Sequence, residues 1–323
     1  MSGTASKRAP LTDGAGLVDL PDRTQIELTG DDRATFLHNL CTNEVRKLPA
    51  GRGCQAFFLN AKGHIVAHVH VFGAPESHVL ETVPGQGALL TQHLDRYLIR
   101  ERVEIADRSQ AWSELLVAGP AAADVLRQAA GASPPEERLA HEPATIAGRP
   151  VRLRRVEWTI PGGWLVAGMR EALADVRAAL LAAGAEPCDA TALDAARIEA
   201  GTPWYGIDIT DKNLPQEVAR DAAAISFTKG CYLGQETVAR IDALGHVNRT
   251  LVGVRFDGAE VPAAGWELMV DGQAAGQVTS AAWSPRLGAP LALAYVRRGS
   301  NTAGTRLSSP CGGAVVVALP LSS

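Results

Sequence analysis

Hydrophobic and polar positions near the start of the chain follow two different periods. Residues 24–30 (TQIELTG) alternate apolar and polar positions, as a half-buried strand does. Residues 30–40 instead gather their apolar side chains on one face, which is typical of an amphipathic helix. Asp31 or Asp32 stands where a helix cap is expected.

Strand patterns dominate the next stretch. Residues 54–60 and 64–72 are predicted to form a hairpin, residues 77–83 another strand, and residues 87–99 an amphipathic helix. The order strand, helix, three strands, helix favours an α+β fold with mostly antiparallel sheets over a doubly wound parallel sheet.

A second mixed unit and a β-rich unit follow. The second unit is predicted to contain strands and helices at residues 112–119, 120–130, 151–158, 162–168, 170–184 and 189–201, with a Pro- and Gly-rich loop at 131–143. From Arg249 onward, short β-rich runs alternate with Gly, Pro and Asp turns, which predicts a small β-barrel or sandwich. We therefore divide the chain into domains 1–108, 109–246 and 247–323.

Composition places the chain among globular proteins, because 46% of its 323 residues are hydrophobic and 20% are charged. A net charge of −4 gives no overall field that would draw the chain to nucleic acid or to an anionic membrane. Direct nucleic-acid binding is therefore not expected.

Cysteine usage and hydropathy indicate a cytoplasmic protein. The five cysteines are widely spaced and form no CxxC pair, so they suggest neither a zinc site nor a disulfide framework. The segment MSGTASKRAPLTDGAG has no apolar stretch of the kind found in secretory signals, and no run approaches 18 apolar residues. We expect no membrane partner.

The stretch FTKGCYLGQETVAR (227–240) is the strongest candidate for chemistry. It carries one of only five lysines in a chain that otherwise uses arginine. A helix start at Gly234 and the cation of Lys229 would both favour a thiolate at Cys231. A free cysteine is, however, commonly a small buried hydrophobe. The residues alone leave both interpretations open.

Three motifs in order resemble the YgfZ family of folate-binding proteins, which are relatives of the glycine-cleavage T-protein (GcvT). KGCYLGQE (229–236) looks like the signature of that family. Residues 16–53 are similar to its N-terminal segment, and residues 196–218 to its central element, R-x-E-A-G-x-P-x-Y-G followed by LP-x-E. The C-terminal β unit is similar only in type.

The resemblance implies a three-domain, cloverleaf-like arrangement around a central hole that binds tetrahydrofolate, completed by a C-terminal β-barrel. It also implies a role in the assembly or repair of iron–sulfur clusters, which would support tRNA-modifying enzymes indirectly. The expected partners are then folate and iron–sulfur proteins or their assembly machinery.

The resemblance also suggests ligand contacts. Glu217 stands where T-protein relatives bind the pterin ring, and one carboxylate can accept two hydrogen bonds from a pterin edge. Tyr205 and Trp204 would stack on the ring, although aromatic residues are as often core. Arg197 would pair either near Glu199 or with the glutamate tail of folate.

The cysteine stretch supplies the remaining candidates. Cys231 would be the reactive thiol and Lys229 would support it, so these two are the catalytic candidates. Gln235 and Glu236 would hydrogen-bond folate or hold the stretch in place. No metal site is predicted.

The second hairpin strand departs from the T-proteins that transfer an aminomethyl group. Ala67 and His68 stand where those proteins carry acidic residues. An alanine can neither take a proton nor stabilise an amine cation. His64, His68 and His70 share one strand parity, and they either line a ligand cleft or form a half-exposed surface.

Three functions remain as alternatives. The first is a tetrahydrofolate-binding accessory protein for iron–sulfur clusters, for which no conventional turnover is expected. The second is a tetrahydrofolate-dependent aminomethyltransferase or demethylase, weakened by Ala67 and His68. The third is a scaffold that only binds a partner, in which Cys231 is structural.

Overall fold

The computed structural model describes residues 9–322; the first half of the segment MSGTASKRAPLTDGAG, for which no secretory signal is expected, lies outside the described residues. The strands are, in chain order, β1 (Gly16–Leu20), β2 (Thr24–Thr29), β3 (Arg52–Leu59), β4 (Ile65–Gly73), β5 (Ser77–Thr82), β6 (Glu104–Asp107), β7 (Trp112–Ala118), β8 (His141–Ile146), β9 (Arg149–Val156), β10 (Gly163–Met169), β11 (Glu186–Cys188), β12 (Arg249–Phe256), β13 (Glu267–Val270), β14 (Gln273–Ser284), β15 (Ala289–Arg297), β16 (Arg306–Ser309) and β17 (Gly312–Val317). The helices are α1 (Pro10–Asp13), α2 (Arg33–Leu40), α3 (Gly87–Asp95), α4 (Ala122–Ala130), α5 (Leu173–Ala182), α6 (Ala190–Glu199), α7 (Asp221–Ala224) and α8 (Gln235–Leu244).

The first sheet has the strand order β3-β4-β5-β2-β6, with every neighbouring pair antiparallel. Helices α2 and α3 cover one of its faces. Because side chains alternate along a strand, Ala67 and Val69 of β4 pack into that helix-covered core. His68, His70 and Phe72 are directed to the opposite face, toward the second sheet.

The second sheet has the order β11-β1-β7-β10-β9-β8, and its only parallel pair among the described strands is β1 with β11. Helices α4 and α5 cover its outer face. On its inner face, Leu116, Leu165 and Trp158 pack together with Phe72 of the first sheet. The two sheets thus meet through their uncovered faces, and polar groups are enclosed between them.

The C-terminal strands close into a barrel in the order β12-β15-β14-β13-β16-β17. Its interior is apolar, with Val254, Phe256 and Leu268 at its centre. Ile198 of α6 packs against Leu251 and Leu293 on the outside of the barrel. This contact joins the barrel to the segment that follows the second sheet.

The α+β fold with mostly antiparallel sheets and the separate C-terminal barrel are confirmed. The cap of α2 differs from the expectation, because the Asp32 carboxylate accepts from the Arg102 backbone N–H at 2.8 Å and makes no cap hydrogen bond. The domain boundaries at residues 108 and 246 stay predictions. Each helix within residues 9–322 is too short or too polar to cross a lipid bilayer.

Candidate functional site

A small central cavity lies between the inner faces of the two sheets. Its volume is about 20 Å³, which is room for about one water molecule. Its lining comes from β3, β4, the end of β5 and three connecting segments: Arg23, Gln55, His68, Val69, His70, Thr82, Val83, Trp158, Thr202, Pro203, Trp204, Tyr205 and Arg220.

Two residues of the cavity lining, Arg23 and His70, pair with the buried carboxylate of Glu81, which is not itself part of the lining. Arg23 donates to the Glu81 carboxylate at 2.6 Å, and His70 Nδ1 lies 2.9 Å from the other oxygen of that carboxylate. The Arg23 guanidinium also stacks on the Trp158 ring at 4.6 Å. Burial alone would raise the pKa of Glu81, but Arg23 and His70 hold that pKa well below its ordinary value. Glu81 is therefore a fully paired carboxylate.

A second buried pair lies next to the first. Arg154 donates to Glu114 at 2.7 Å and to the Gln25 side-chain oxygen at 3.0 Å. Burial and the negative charge of Glu81 together raise the pKa of Glu114. These side chains fill the space between the sheets and hold the cavity wall in position.

His68 of β4 lines the cavity, as His70 of the same strand does. Its ring stacks on Phe57 with the centroids 4.8 Å apart, and its Nε2 is buried without a partner. Burial, with the neighbouring His70 as a further cause, lowers the pKa of His68 well below 6.5, so the His68 ring is neutral at pH 7. Ala67 points into the helix-covered core. Of the two altered positions, only residue 68 could touch a ligand here.

Several residues of the cavity lining carry buried polar atoms without a hydrogen-bond partner among the described residues. Five buried atoms of its lining have no hydrogen-bond partner among the described residues: Gln55 Oε1, His68 Nε2, His70 Nε2, Trp204 Nε1 and Arg220 Nε. An unpaired buried polar atom costs about 1–3 kcal/mol, and such atoms are uncommon in native structures. Five of them around one space indicate a place for a polar ligand or ordered water.

An open cleft of about 570 Å³ adjoins the cavity. Arg220 lines both spaces. The Arg138–Glu157 salt bridge, with 2.7 Å between Nε and Oε2, lies on the cleft wall, and Pro320 of the C-terminal segment lines the cleft as well. The central cavity therefore has a wider neighbour into which a larger ligand could extend.

The predicted folate contacts separate into two groups. Tyr205 and Trp204 line the central cavity. Glu217 is outside its lining and accepts from Arg249 Nε of the barrel at 3.0 Å. The structure thus gives Glu217 a partner inside the protein.

Arg197 is also paired within the protein. Its guanidinium donates to Asp194 at 2.7 Å and to Asp208 at 2.8 Å, and its plane stacks on Trp204 at 4.8 Å. Asp194 and Asp208 therefore supply the acceptors of Arg197 without a ligand. Glu199 pairs with Arg286 instead.

Lys229 has a structural contact set that the sequence did not indicate. Its ammonium donates to the backbone carbonyls of His38 at 2.5 Å, Cys41 at 2.7 Å and Asn43 at 2.8 Å. These carbonyls lie at and just beyond the C-terminal end of α2, where helix carbonyls lack internal partners. The three carbonyls match the three N–H donors of an ammonium group. An arginine would instead present its donors in a flat fork.

We define the cysteine loop as residues 226–234. It is anchored to α2 and the residues just after it on both sides of Lys229, because the Ser226 and Leu233 backbone N–H groups donate to the Thr42 and Asn39 carbonyls at 2.9 and 3.0 Å. Cys231 is solvent-exposed, and no hydrogen bond to its sulfur is found within residues 9–322.

The residues after the loop begin α8. Gln235 is its first residue and its backbone N–H donates to Tyr232, whereas Glu236 is exposed in the first turn. Neither residue lines the central cavity. The central cavity and the exposed thiol are thus separate places, and the predicted site residues divide between them.

Sequence reasoning missed most of the cavity. Gln55, Arg23 and Trp158 carry no motif, and Arg220 follows Glu217 in a segment where only the glutamate was singled out. The parity of β4 did place His68 and His70 on one face, and both line the cavity, whereas His64 precedes that strand. In the described part of the chain, no group of three His, Cys, Asp or Glu side chains is arranged to hold a metal ion.

Comparison with known proteins identifies the family. The family model of the GCVT N-terminal domain matches residues 4–229, and that of the glycine cleavage T-protein C-terminal barrel domain matches residues 249–322. The chain is 30% identical over 289 residues to an aminomethyltransferase of Thermus thermophilus, covering 88% of this chain and 80% of that protein. It is 28% identical over 306 residues to an aminomethyltransferase of Nostoc sp., covering 91% and 80%.

A solved structure agrees with the fold. The glycine cleavage system aminomethyltransferase T from Bartonella henselae superposes with a TM-score of 0.86 at 22% identity, over 96% of this chain and 87% of that one. The two family models together span the two sheets and the barrel described above. The chain belongs to the glycine cleavage T-protein family.

Proposed function

We propose that this chain binds tetrahydrofolate, with the pterin in the central cavity and the remainder in the adjoining cleft. Tetrahydrofolate is the cofactor of the aminomethyltransferases in this family. The observation that carries the proposal is the set of five unpaired buried atoms. Trp204 Nε1 and Arg220 Nε are donors, Gln55 Oε1 is an acceptor, and the two imidazole nitrogens can be either. A pterin offers N–H, amino and carbonyl groups that complement such a set.

The space available supports a ligand that spans both cavities. A cleft of about 570 Å³ falls within the roughly 300–1,000 Å³ of typical small-molecule sites, whereas 20 Å³ does not. Entry of a pterin therefore requires the cavity wall to move. The rings of Trp204 and Tyr205 are the lining aromatic groups suited to stack on it.

Calorimetric binding of tetrahydrofolate tests this proposal. Trp204→Phe removes one unpaired donor and keeps a ring, and we expect its affinity to fall about tenfold because one buried hydrogen bond is lost. Trp283→Phe, at an exposed tryptophan of the barrel, is the matched control and should bind as wild type. Absence of binding to the wild type, or equal affinity of all three proteins, contradicts the proposal.

Aminomethyl transfer is the activity that the relatives support, since they are named aminomethyltransferases. The cavity lining favours it less, because it contains no carboxylate that could stabilise an amine cation. Conversion of an aminomethyl donor to methylenetetrahydrofolate by the wild type would assign this activity. If only His68→Asp converts the donor, the missing carboxylate is the reason why the wild type does not.

The accessory role is a second candidate, and it corresponds to the narrower YgfZ assignment. The KGCYLGQE motif, the exposed Cys231 and the absence of a carboxylate from the cavity lining favour it. The comparisons give no support to its iron–sulfur part. In a strain deleted for this gene, Cys231→Ala should fail to restore iron–sulfur enzyme activity that the wild type restores. Full rescue by that variant would remove the thiol from the proposal.

A further inference from the structure

We infer that Arg220 is the subsite for a carboxylate of the bound ligand, at the junction of the central cavity and the cleft. This inference rests on the proposed function, which makes the carboxylates those of the glutamate tail of tetrahydrofolate. Arg220 was not singled out by any motif, and it is the arginine that lines both spaces.

The fully buried arginines nearby are all neutralised inside the protein. Arg23 pairs with Glu81, Arg154 with Glu114, and Arg197 with Asp208, each with a nitrogen–oxygen distance of 2.8 Å or less. A buried cation without such a partner is strongly unfavourable. Each of these three arginines therefore has a carboxylate of the protein as its counter-ion, although Arg154 Nε is also buried without a hydrogen-bond partner among residues 9–322.

Arg220 is different in this respect. Its Nη2 donates to the Thr202 hydroxyl at 3.1 Å, and its Nε is buried without a partner. Within residues 9–322, no carboxylate forms a salt bridge with it. An arginine fork has five donors, so most of its hydrogen-bonding capacity is unused.

The surrounding charges do not compensate Arg220. Burial, followed by the positive charge of Arg138, lowers its pKa to about 10, and Glu157 acts in the opposite direction. Glu157 already pairs with Arg138 at 2.7 Å. Arg220 also contributes positive potential at His68 across the cavity. The junction of the two spaces is thus a positive site that lacks an anion.

A carboxylate suits this site for geometric reasons. Two parallel hydrogen bonds from a guanidinium fork to a carboxylate are short, charge-assisted and directional. Arg220 is in the lining of both spaces, so a ligand that extends from the central cavity into the cleft can contact it. An anionic tail attached to that heterocycle would then neutralise the one cation that the protein leaves unpaired there.

A binding cycle with two ligands and two proteins tests the inference. The ligands are tetrahydrofolate and 6-methyltetrahydropterin, which has the heterocycle but no carboxylate. We expect Arg220→Gln to weaken tetrahydrofolate about 10- to 100-fold, the usual effect of losing a charge-assisted hydrogen bond, and to leave 6-methyltetrahydropterin within about twofold. Arg306→Gln, at an exposed arginine of the barrel, is the control and should change neither affinity.

The cycle separates failure of the inference from failure of the proposed function. If neither ligand binds the wild type, the proposed function fails and the inference with it. If both bind and Arg220→Gln weakens them equally, or neither, the carboxylate subsite is wrong while folate binding stands. Arg220→Lys keeps the charge without the fork. It should weaken tetrahydrofolate by an intermediate amount and leave the affinity of the second ligand unchanged.

A stability measurement without ligand gives an independent readout. Because Arg220 is an uncompensated cation, Arg220→Gln should raise the melting temperature of the ligand-free protein by about 2–4 °C. A residue with a purely structural role would lower it. A lowered melting temperature together with unchanged binding would overturn the inference.

Discussion

The central cavity and the cysteine loop differ in whether their buried polar groups have hydrogen-bond partners. Among the described residues, five buried atoms of the cavity lining have no hydrogen-bond partner, and no carboxylate pairs with the Arg220 cation. In the loop, all three donors of Lys229 are matched to carbonyls, and the one reactive group, the Cys231 thiol, is in solvent.

The unpaired polar groups of the cavity could be paired only by a bound ligand or by water, whereas the ammonium of Lys229 is already paired within the fold. Unpaired groups destabilise the ligand-free protein, and a ligand that pairs with them would remove that cost. A fully paired anchor such as Lys229 instead holds a segment in place without a ligand. Chemistry at Cys231 would therefore take place on a rigid platform, and chemistry in the cavity would begin with a rearrangement.

The largest expected effect is at the cavity wall. Glu81→Gln leaves Arg23 without its anion, and removal of one partner from a buried ion pair costs about 3–5 kcal/mol. The free energy of unfolding from urea titration measures it. Asp124→Asn removes an exposed pair with Arg127 and should cost less than about 1 kcal/mol. Similar losses in both variants would mean that the wall is not held by this pair.

The anchor of the cysteine loop should show the next largest effect. Lys229→Met keeps most of the volume but leaves three carbonyls without a donor, so we expect a loss of about 2 kcal/mol. Protease cleavage within residues 226–234 should also become faster. Lys62→Met, at an exposed lysine, is the control and should stay within about 0.5 kcal/mol of wild type. An unchanged cleavage rate in Lys229→Met would show that the loop is held by its other contacts.

The pH dependence of stability sharpens the account of the cavity. Burial lowers the pKa of His68 well below 6.5. Just below pH 6.5, the unfolded chain therefore binds a proton at this residue and the folded chain does not. Stability from this residue is complete above pH 6.5 and falls as the pH decreases. His68→Gln should reduce the stability lost between pH 6.5 and 5 by about 1 kcal/mol. Equal losses in variant and wild type would mean that His68 is solvated.

The smallest expected effect on stability is at the exposed thiol. Cys231→Ser should change the free energy of unfolding by less than about 0.5 kcal/mol. In the native protein, a thiol reagent should modify Cys231 first, because Cys231 is exposed, whereas burial raises the pKa of the Cys41 and Cys54 thiols. Peptide mapping by mass spectrometry identifies the modified residue. If the reagent modified Cys41 before Cys231, the exposed thiol of the cysteine loop would not be the most reactive one, and this prediction would be wrong.

Local patterns were sufficient for the parts of the fold that depend on neighbours in sequence. Alternation along residues 64–72 placed His68 and His70 on one face, and short runs between turns predicted the barrel. They were insufficient for β1, which joins the second sheet although the chain builds the first sheet directly after it. That choice depends on pairing with β7 and β11, about a hundred residues or more away.

The candidate site depended even more on distant contacts. Lys229 looked like a partner for its neighbour Cys231, but its acceptors lie in α2 and just after it, at positions 38 to 43. Glu217 lies in a family motif, yet its carboxylate pairs with an arginine of the barrel. The unpaired state of Arg220 is a property of what surrounds it in space, and no spacing of residues along the chain encodes it.

The buried ammonium of Lys229 makes this lysine a natural reporter of loop detachment. An amine-acylating reagent should modify the exposed Lys47, Lys62 and Lys212 at once, and Lys229 only when the loop leaves its three carbonyls. The ratio of the rates, read from one digest with the exposed lysines as internal standards, gives the fraction of time that the loop is detached. A chain with so few lysines thus allows the motion of its cysteine loop to be followed without any introduced label.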